Sequence, residues 1–229
     1  MTAHTAYADL DRLMSLMTGD EKHGPAATST LDVLWVLHDR VLRVSPATAD
    51  APDRDRFLLS KGHGPMAYYA VLAAKGFLPE EWLAGFGTFD SRLGYHPDRT
   101  LVPGAEIGSG SLGHGLPLAV GTALGLQAQG LDEARTWVLV GDAEMDEGSN
   151  HEAVAYAGAV GLEGLHVVAV DNASSTYGWR GGLASRFAAE GWSAVTVDGR
   201  DHEELYAAFT APHPGRPHAV VARVEPKNG

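Results

Sequence analysis

Two polar residues follow two strongly apolar stretches of the chain, and their spacing could create a binding site for a cation. Asp142 comes after residues 137–140 and a glycine, and Asn172 follows residues 166–170 and an aspartate. If both stretches are parallel strands, Asp142 and Asn172 lie side by side at the sheet edge where ligands bind in open α/β folds. Their oxygen atoms suit a hard cation such as Mg²⁺, which commonly also holds a phosphate. The pattern predicts a site for a Mg²⁺-bound diphosphate cofactor, although each residue alone would also suit a turn.

Residues 108–113 have the glycine pattern G-x-G-x-x-G. A dinucleotide-binding site needs a strand directly before this pattern and an acidic residue at the end of the next strand. Residues 102–106 make a poor strand, and Asp132, near the right distance, lies in a predicted loop. This context argues against a nicotinamide cofactor. The glycines can still let backbone amides approach a phosphate at the start of a helix, where the helix dipole favours an anion.

Three histidines, His23, His63 and His96, lie beside glycine or proline in predicted loops. Neutral imidazoles could hydrogen-bond substrate hydroxyls or phosphate oxygens, or transfer protons near neutral pH, although loop histidines are also commonly just solvated. The histidines have no H-E-x-x-H spacing, so we do not expect a zinc site.

Four carboxylates, Glu144, Asp146, Glu147 and Glu152, cluster around a predicted helix start. Favourable interaction with the helix dipole accounts for some of them without any catalytic role. Glu147 and Glu152 do not share one helical face, so we expect them to meet different partners.

The positions of helices and strands follow from hydrophobic periodicity and turn residues. In the second half, predicted strands at 136–140, 166–170, 192–198 and 218–224 alternate with predicted helices at 147–160, 182–190 and 201–210. The first half has predicted helices at 5–18, 30–41, 65–75 and 113–130, a short helix from 79 and a strand at 57–59, whereas 86–112 has weak periodicity. This alternation predicts an α/β fold, with a doubly wound, mostly parallel sheet and helices on both faces. We expect a single domain over residues 1–229, because no repeat or linker divides the chain.

The 229-residue chain has a net charge of -12, which argues against a general nucleic-acid-binding or membrane-binding surface. Hydrophobic residues make up 45% of the sequence, enough for a packed core. There is no cysteine, which excludes disulfides, thiolate metal sites and a cysteine nucleophile. The amino terminus lacks a signal-peptide pattern and no run of about 18 apolar residues occurs, so we expect a cytoplasmic protein that does not cross a membrane.

Ordered motifs along nearly the whole chain resemble those of transketolases. Gly141-Asp142-Ala143, with Asn172 further on, resembles the thiamine-diphosphate motif GDG…N. The other similar segments are 60–64 (SKGHG), 94–97 (GYHP), 110–115 (GSLGHG) and 147–153 (EGSNHEA), with His23-Gly24 ahead of residues 32–35. The resemblance implies a thiamine-diphosphate-binding fold, and the chain is identified as similar to the N-terminal, diphosphate-binding subunit of a split transketolase.

The resemblance also implies roles for individual residues. Asp142, Asn172 and the backbone carbonyl of Ser174 would bind Mg²⁺. The residues that would contact the cofactor are His63, Gly110, Ser111, Leu112, Gly141, Asp142, Ala143 and Asn172. The candidate catalytic residues are His23, His63, His96 and Glu147, with His23 and His96 placed to contact substrate hydroxyls. Glu147 and Glu152 would link paired active sites across a subunit interface.

The sequence departs from the family pattern at four points. Ala143 replaces the second glycine of GDG and adds a methyl group near the diphosphate, which a negative φ at this position would tolerate. His114 stands where glutamine is usual. The chain ends at Gly229, before a further active-site histidine of the family. It also lacks the pyrimidine-binding half with the glutamate that activates thiamine, so we expect a separate polypeptide to supply that half in an α2β2 assembly.

These features favour a transketolase-like transferase that is active only with a separate pyrimidine-binding subunit. With thiamine diphosphate and Mg²⁺ it would transfer a two-carbon ketol unit from a ketose, or ketose phosphate, to an aldehyde acceptor. Two alternatives remain open: the α-subunit of a 2-oxo-acid dehydrogenase-like or acyloin-forming enzyme, and a catalytically silent cofactor-binding subunit. The three loop histidines favour a hydroxylated, sugar-like donor.

Overall fold

Five parallel strands form one sheet in the computed structural model, which describes residues 6–18 and 28–226. The strands are β1 (Arg56–Leu59), β2 (Thr136–Gly141), β3 (Leu165–Asp171), β4 (Ser193–Asp198) and β5 (His218–Arg223). They lie in the order β1-β2-β3-β5-β4 across the sheet. Gly141 at the end of β2 is opposite Val170 in β3, so the residues that follow these strands emerge side by side at the carboxyl edge.

Seven α-helices pack on this sheet within the described part of the chain. They are α1 (Leu10–Ser15), α2 (Leu31–Val36), α3 (Met66–Ala74), α4 (Gly115–Ala128), α5 (Gly148–Ala159), α6 (Gly182–Ala189) and α7 (His202–Phe209). A π-helical turn, Leu37–Val41, continues α2, and 3₁₀ turns occur at Tyr7–Asp9, Pro46–Thr48, Glu80–Gly85 and Ala143–Asp146. Asp201 begins α7 by accepting hydrogen bonds from the amides of Glu203 and Glu204.

The central strands are apolar on both faces because helices cover the sheet from both sides. Successive residues of a strand point to opposite faces. Leu139 of β2 therefore joins one core with helices α1, α2, α3 and α7, whereas Val138 and Val140 join a second core with helices α4, α5 and α6. Parallel strands buried on both faces are typical of doubly wound folds. The predicted α/β fold is confirmed.

Every strand predicted from the sequence matches an observed strand to within one residue at each end. The amino-terminal helix differs from its prediction over 5–18: a 3₁₀ turn precedes α1, and α1 ends at Ser15. The helix predicted over 30–41 changes to π-helical geometry at Leu37. No helix of the described residues is long and apolar enough to span a membrane.

The segment 86–112 contains turns but neither helix nor strand, as its weak periodicity predicted. Two buried tyrosines of α3 hold it in place. Tyr68 donates to the carbonyl of Gly104 at 3.0 Å, and Tyr69 donates to the carbonyl of Gly94 at 2.9 Å. These bonds fix a long irregular segment to the core, and His96 lies two residues after one of the anchor points.

His166 lies near the start of β3, at the amino-terminal edge of the sheet, and is buried in a cluster of aromatic rings. Its ring stacks on Trp137 with centroids 4.1 Å apart, and the rings of His213 and His218 lie 4.8 and 6.2 Å away. Within the described part of the chain, neither buried ring nitrogen has a hydrogen-bond partner. Burial, aided by the two nearby histidines, lowers the pKa of His166 well below its usual value, so the ring is neutral in the folded protein.

Replacing His166 by phenylalanine should make the free energy of unfolding less dependent on pH. The unfolded chain protonates His166 below about pH 6.5 while the folded chain does not, so stability falls as the pH drops through that value. Between about pH 7.5 and 5.5 this group accounts for about 1.4 kcal/mol of the loss. Urea unfolding of both proteins at the two pH values measures the difference, and an equal loss in both would contradict the assignment.

Candidate functional site

Asp142 is the first residue after β2 and is buried at the carboxyl edge of the sheet, with 2% of its surface exposed. Its backbone N–H donates to the carbonyl of Val170 in β3 at 3.0 Å. Its carboxylate accepts hydrogen bonds from the amides of Ser174 and Ser175 at 2.6 and 3.0 Å, and from the Ser174 hydroxyl at 2.6 Å. The structure therefore brings the end of β2 and the loop after β3 together around one negative charge.

Asn172 follows β3 directly and is 4% exposed. Its Oδ1 atom is buried and has no hydrogen-bond partner among the described residues. The next residue, Ala173, turns the chain with a φ of +56°, which residues other than glycine rarely adopt. An unpaired buried oxygen is unfavourable unless a ligand satisfies it. Because carboxylate and amide oxygens on adjacent strand ends are the donors that a hard cation prefers, the residues present fit Mg²⁺.

Ser174 contacts Asp142 through its amide and its hydroxyl. The orientation of the following peptide determines where the Ser174 carbonyl, the expected cation ligand, points. A trans peptide directs its C=O and N–H groups to opposite sides. Because the Ser175 amide points at Asp142, the Ser174 carbonyl points away from that carboxylate. Ligation by this carbonyl stays a prediction, and it requires the Ser174–Ser175 peptide to turn.

Glu144 connects three segments of the candidate site through one carboxylate that is only 1% exposed. It accepts hydrogen bonds from the Ser60 hydroxyl, from the amide of Gly113 at 3.0 Å and from the amide of Gly141 at 3.3 Å. Burial raises the pKa of Glu144, and these three donors act in the opposite direction. The turn after β1, the glycine-rich segment and the end of β2 are thereby held in fixed positions relative to one another.

Protein groups already occupy the first amides at the start of α4. The amide of Gly113 donates to Glu144, and the amide of Gly115 donates to the Ser60 hydroxyl at 2.9 Å. The helix terminus therefore has fewer free donors for a phosphate than the sequence pattern suggested. The expected diphosphate contact falls on the preceding residues 110–112, which are exposed.

Glycines allow the turn after β1 and the glycine-rich segment to approach closely. A Cβ atom on Gly62 would lie 2.4 Å from Ser109 Oγ and 3.1 Å from the nitrogen of Gly110. Gly110 has a φ of +140°, and a Cβ atom there would lie 3.2 Å from Cδ2 of His96. The exposed His96 ring therefore lies against the segment that is expected to contact the diphosphate.

Lys61 places a buried positive charge beside Gly141. It is 4% exposed, and a Cβ atom on Gly141 would lie 3.3 Å from the Lys61 side chain. Its charge lowers the pKa of Glu144, against the effect of burial. A cation so close to the end of β2 would also favour a bound diphosphate.

The other predicted site residues lie at the same edge or outside the described residues. His63 lies in the turn between β1 and α3 and is partly exposed. Ala143 begins a 3₁₀ turn. Its φ is not positive, because Ala173 is the only non-glycine residue with positive φ in the described part of the chain. Ala143 therefore has the negative φ that tolerates a methyl group at this position. His23 falls in the stretch 19–27, outside the described residues.

Glu147, directly before α5, and Glu152, in its first half, are both exposed. Glu147 occupies the position before the helix, makes no capping hydrogen bond with its side chain, and lies against Gly113, where a Cβ atom would be 2.7 Å from its own Cβ. Both carboxylates are accessible to another chain, as a role at a subunit interface requires. That role stays a prediction.

Sequence reasoning missed the importance of Glu144. Its partners Ser60 and Gly113 are 84 and 31 positions away, so no local pattern distinguishes it from the neighbouring carboxylates. The sequence contained only a weak signal for this role. Glu144 closely follows one buried strand, and the Ser60-Lys61-Gly62 turn follows another.

A parallel α/β domain with cation-suited oxygens and a glycine-rich segment at one edge belongs to the class of diphosphate-cofactor-binding domains. A family profile described as the transketolase thiamine diphosphate binding domain matches residues 10–224. The chain therefore belongs to the family of transketolase N-terminal domains.

Individual relatives agree with this assignment. The chain is 56% identical over 219 residues to "Ferredoxin fas2" of Rhodococcoides fascians, covering 96% of this chain and 72% of the relative. It is 35% identical over 207 residues to one subunit of an apulose-4-phosphate transketolase from Actinobacillus succinogenes, covering 87% and 75%. The structure of transketolase from Leishmania mexicana superposes with a TM-score of 0.77 at 27% identity, covering 95% of this chain and 36% of that one. The chain thus spans about a third of that transketolase.

Replacing Glu144 by glutamine should lower the free energy of unfolding by about 1–3 kcal/mol, because the new amide group faces backbone donors that then lack an acceptor. Urea unfolding near neutral pH measures the loss. Glu163→Gln is a matched control, since that carboxylate accepts a single amide, from Gly215 at 2.9 Å, on the surface. Equal losses in the two variants would contradict the role assigned to Glu144.

Proposed function

We propose that this chain is the diphosphate-binding subunit of a two-component transketolase that depends on thiamine diphosphate and Mg²⁺. It would transfer a two-carbon ketol unit from a sugar-like ketose, or its phosphate, to an aldehyde acceptor. The observation that carries the proposal is the pair formed by Asp142 and the unpaired Oδ1 atom of Asn172, in a chain of this family. Neighbouring strand ends present both groups at one edge of the sheet.

The side chains described above would hold and orient the cofactor. Asp142 and Asn172 would hold the cation, and the amides of residues 110–112 would donate to the diphosphate, with Lys61 offsetting part of its charge. When bound, thiamine diphosphate supplies the nucleophilic carbon and the electron sink for breaking a carbon–carbon bond beside a carbonyl. His63 and His96 would donate to hydroxyl groups of the donor and fix its orientation.

A second polypeptide would complete the site. Two relatives of this chain are named as single subunits of apulose-4-phosphate transketolases, which implies a partner of a different sequence. That partner would bind the aminopyrimidine part of the cofactor and supply the carboxylate that activates it, in an α2β2 assembly. The exposed Glu147 and Glu152 are suitable contacts for it, and Gly121 and Gly125 of α4 have open space where a second helix could approach.

The relative named as a ferredoxin supports a second candidate, in which a 2-oxo acid is the donor and a ferredoxin accepts electrons. This candidate corresponds to the dehydrogenase-like alternative considered from the sequence. The present chain has no cysteine and hence no thiolate for an iron–sulfur cluster. The electron acceptor would therefore be a separate protein or domain.

Replacing Asp142 by alanine should abolish Mg²⁺-dependent binding of thiamine diphosphate, because the only carboxylate of the expected cation site is lost. Isothermal titration calorimetry of the full chain, alone and mixed with its partner subunit, measures this. Asp198→Ala is a control at the end of β4, where the carboxylate accepts the amide of Arg200 and, among the described residues, no other donor. Unchanged affinity in the Asp142 variant would refute the cation assignment.

The purified chain alone should show no ketol transfer, and activity should appear when a pyrimidine-binding subunit is added. The assay follows transfer from ketose phosphates to aldehydes, and a parallel assay follows ferredoxin reduction with 2-oxo acids. Turnover by the isolated chain would contradict dependence on a partner. Ferredoxin reduction without ketol transfer would replace the first candidate by the second.

A further inference from the structure

Two carboxylates four positions apart hold the loop that follows β3. Asp142 accepts the amide and hydroxyl of Ser174 and the amide of Ser175. Asp146 accepts the hydroxyl of Ser175 and the amide of Thr176, both at 2.9 Å. Five donors from three consecutive loop residues therefore bind two acidic side chains joined by a single 3₁₀ turn.

A cation would affect these two sets of hydrogen bonds differently. At Asp142 it competes for the same carboxylate oxygens that now accept three loop donors. A carbonyl ligand from Ser174 requires the Ser174–Ser175 peptide to turn, which removes the Ser175 amide from Asp142 as well. The two bonds to Asp146 involve none of the expected ligand atoms, so they can persist throughout this change.

The loop is also attached further along the chain. Trp179 packs against His151 with ring centroids 5.0 Å apart, and the guanidinium of Arg186 lies 5.3 Å from the centre of the Trp179 ring. Asp146 and Trp179 therefore anchor residues 175–179, so a rearrangement at the cation site would fall on the residues before them, 172–175.

We propose that Asp146 is a positioning residue for the cation site. It holds the Ser175 hydroxyl and the Thr176 amide while the Ser174–Ser175 peptide exchanges its contacts with Asp142 for contacts with the cation. This inference rests on the proposed function, because it presupposes a cation at Asp142. The anchor raises the fraction of molecules whose loop can complete the site, and the observed cation affinity scales with that fraction.

Asp146→Asn should weaken cation binding without destabilising the protein. The asparagine keeps the size of the side chain but removes its negative charge, so the bonds from the Ser175 hydroxyl and the Thr176 amide are weakened. We expect Mn²⁺ affinity to fall about 10-fold. Electron paramagnetic resonance on the full chain with its partner subunit, at saturating thiamine diphosphate, measures bound Mn²⁺. The thermal midpoint of unfolding and the affinity for thiamine diphosphate at saturating Mn²⁺ should not change.

A double-mutant cycle and a matched control identify the contact responsible. Ser175→Ala should weaken Mn²⁺ binding less than Asp146→Asn does. In the double variant, the fold-loss of Mn²⁺ affinity should be smaller than the product of the two single fold-losses. Asp98→Asn is the control, because Asp98 also accepts one amide and one hydroxyl, from Thr100 at 2.8 and 2.7 Å, within its own turn. Its Mn²⁺ affinity should equal that of the wild type.

Hydrogen exchange at the loop amides provides a readout that is independent of activity. Cation binding should speed exchange at Ser174 and Ser175 but not at Thr176, whereas Asp146→Asn should speed exchange at Thr176 with and without the cation. Unchanged Mn²⁺ affinity in Asp146→Asn, or unchanged exchange at Thr176, would overturn the positioning role. If Asp142→Ala still binds the cation, the proposed function fails; if only the Asp146 results fail, the proposed function stands.

Discussion

The carboxylate of Glu144 is buried where three segments of the candidate site meet, and their relative positions depend on it. A buried charge is tolerated only when donors surround it. Here the donors come from the turn after β1, the start of α4 and the end of β2. Displacing any one segment would leave the charge less compensated, so the three segments are constrained to keep their arrangement. The glycine-rich segment gains its fixed position from this constraint rather than from regular secondary structure.

The parallel register of β2 and β3 supplies the second constraint. Gly141 and Val170 are paired, so Asp142 is level with Asp171, and Asn172 follows one position further at the same carboxyl edge. This geometry places Asp142 and Asn172 at neighbouring strand ends. The apolar faces of both strands, buried under helices on either side, make a shift in register unfavourable because it would expose core residues. The position of the candidate cation site is thus a consequence of core packing.

Sequence patterns predicted what depends on local periodicity and missed what depends on distant contacts. The strands, most helix limits and the proximity of Asp142 to Asn172 follow from apolar runs and from the parallel topology that they imply. The role of Glu144 was missed because its partners lie far away in the sequence. Ligation of a cation by the Ser174 carbonyl stays a prediction; a serine pattern does not reveal that the amide and hydroxyl of this residue face the Asp142 carboxylate. The bond from the Gly115 amide to Ser60 was missed because these residues are also far apart in the sequence.

In the proposed two-component enzyme, the exposed groups around the site would couple assembly to cofactor binding. His96, Leu112 and Glu147 are exposed beside a candidate site in which Asp142 and Asn172 are buried. A partner that covers these groups would remove water from the cofactor and strengthen its electrostatic contacts. Cofactor and partner must then raise one another's affinity by the same factor, because binding free energies are linked reciprocally. In the proposed function, the arrangement around Glu144 and the proposed rearrangement at Ser174 would have complementary roles: the segment expected to contact the diphosphate is already held in place, and only the loop after β3 would change.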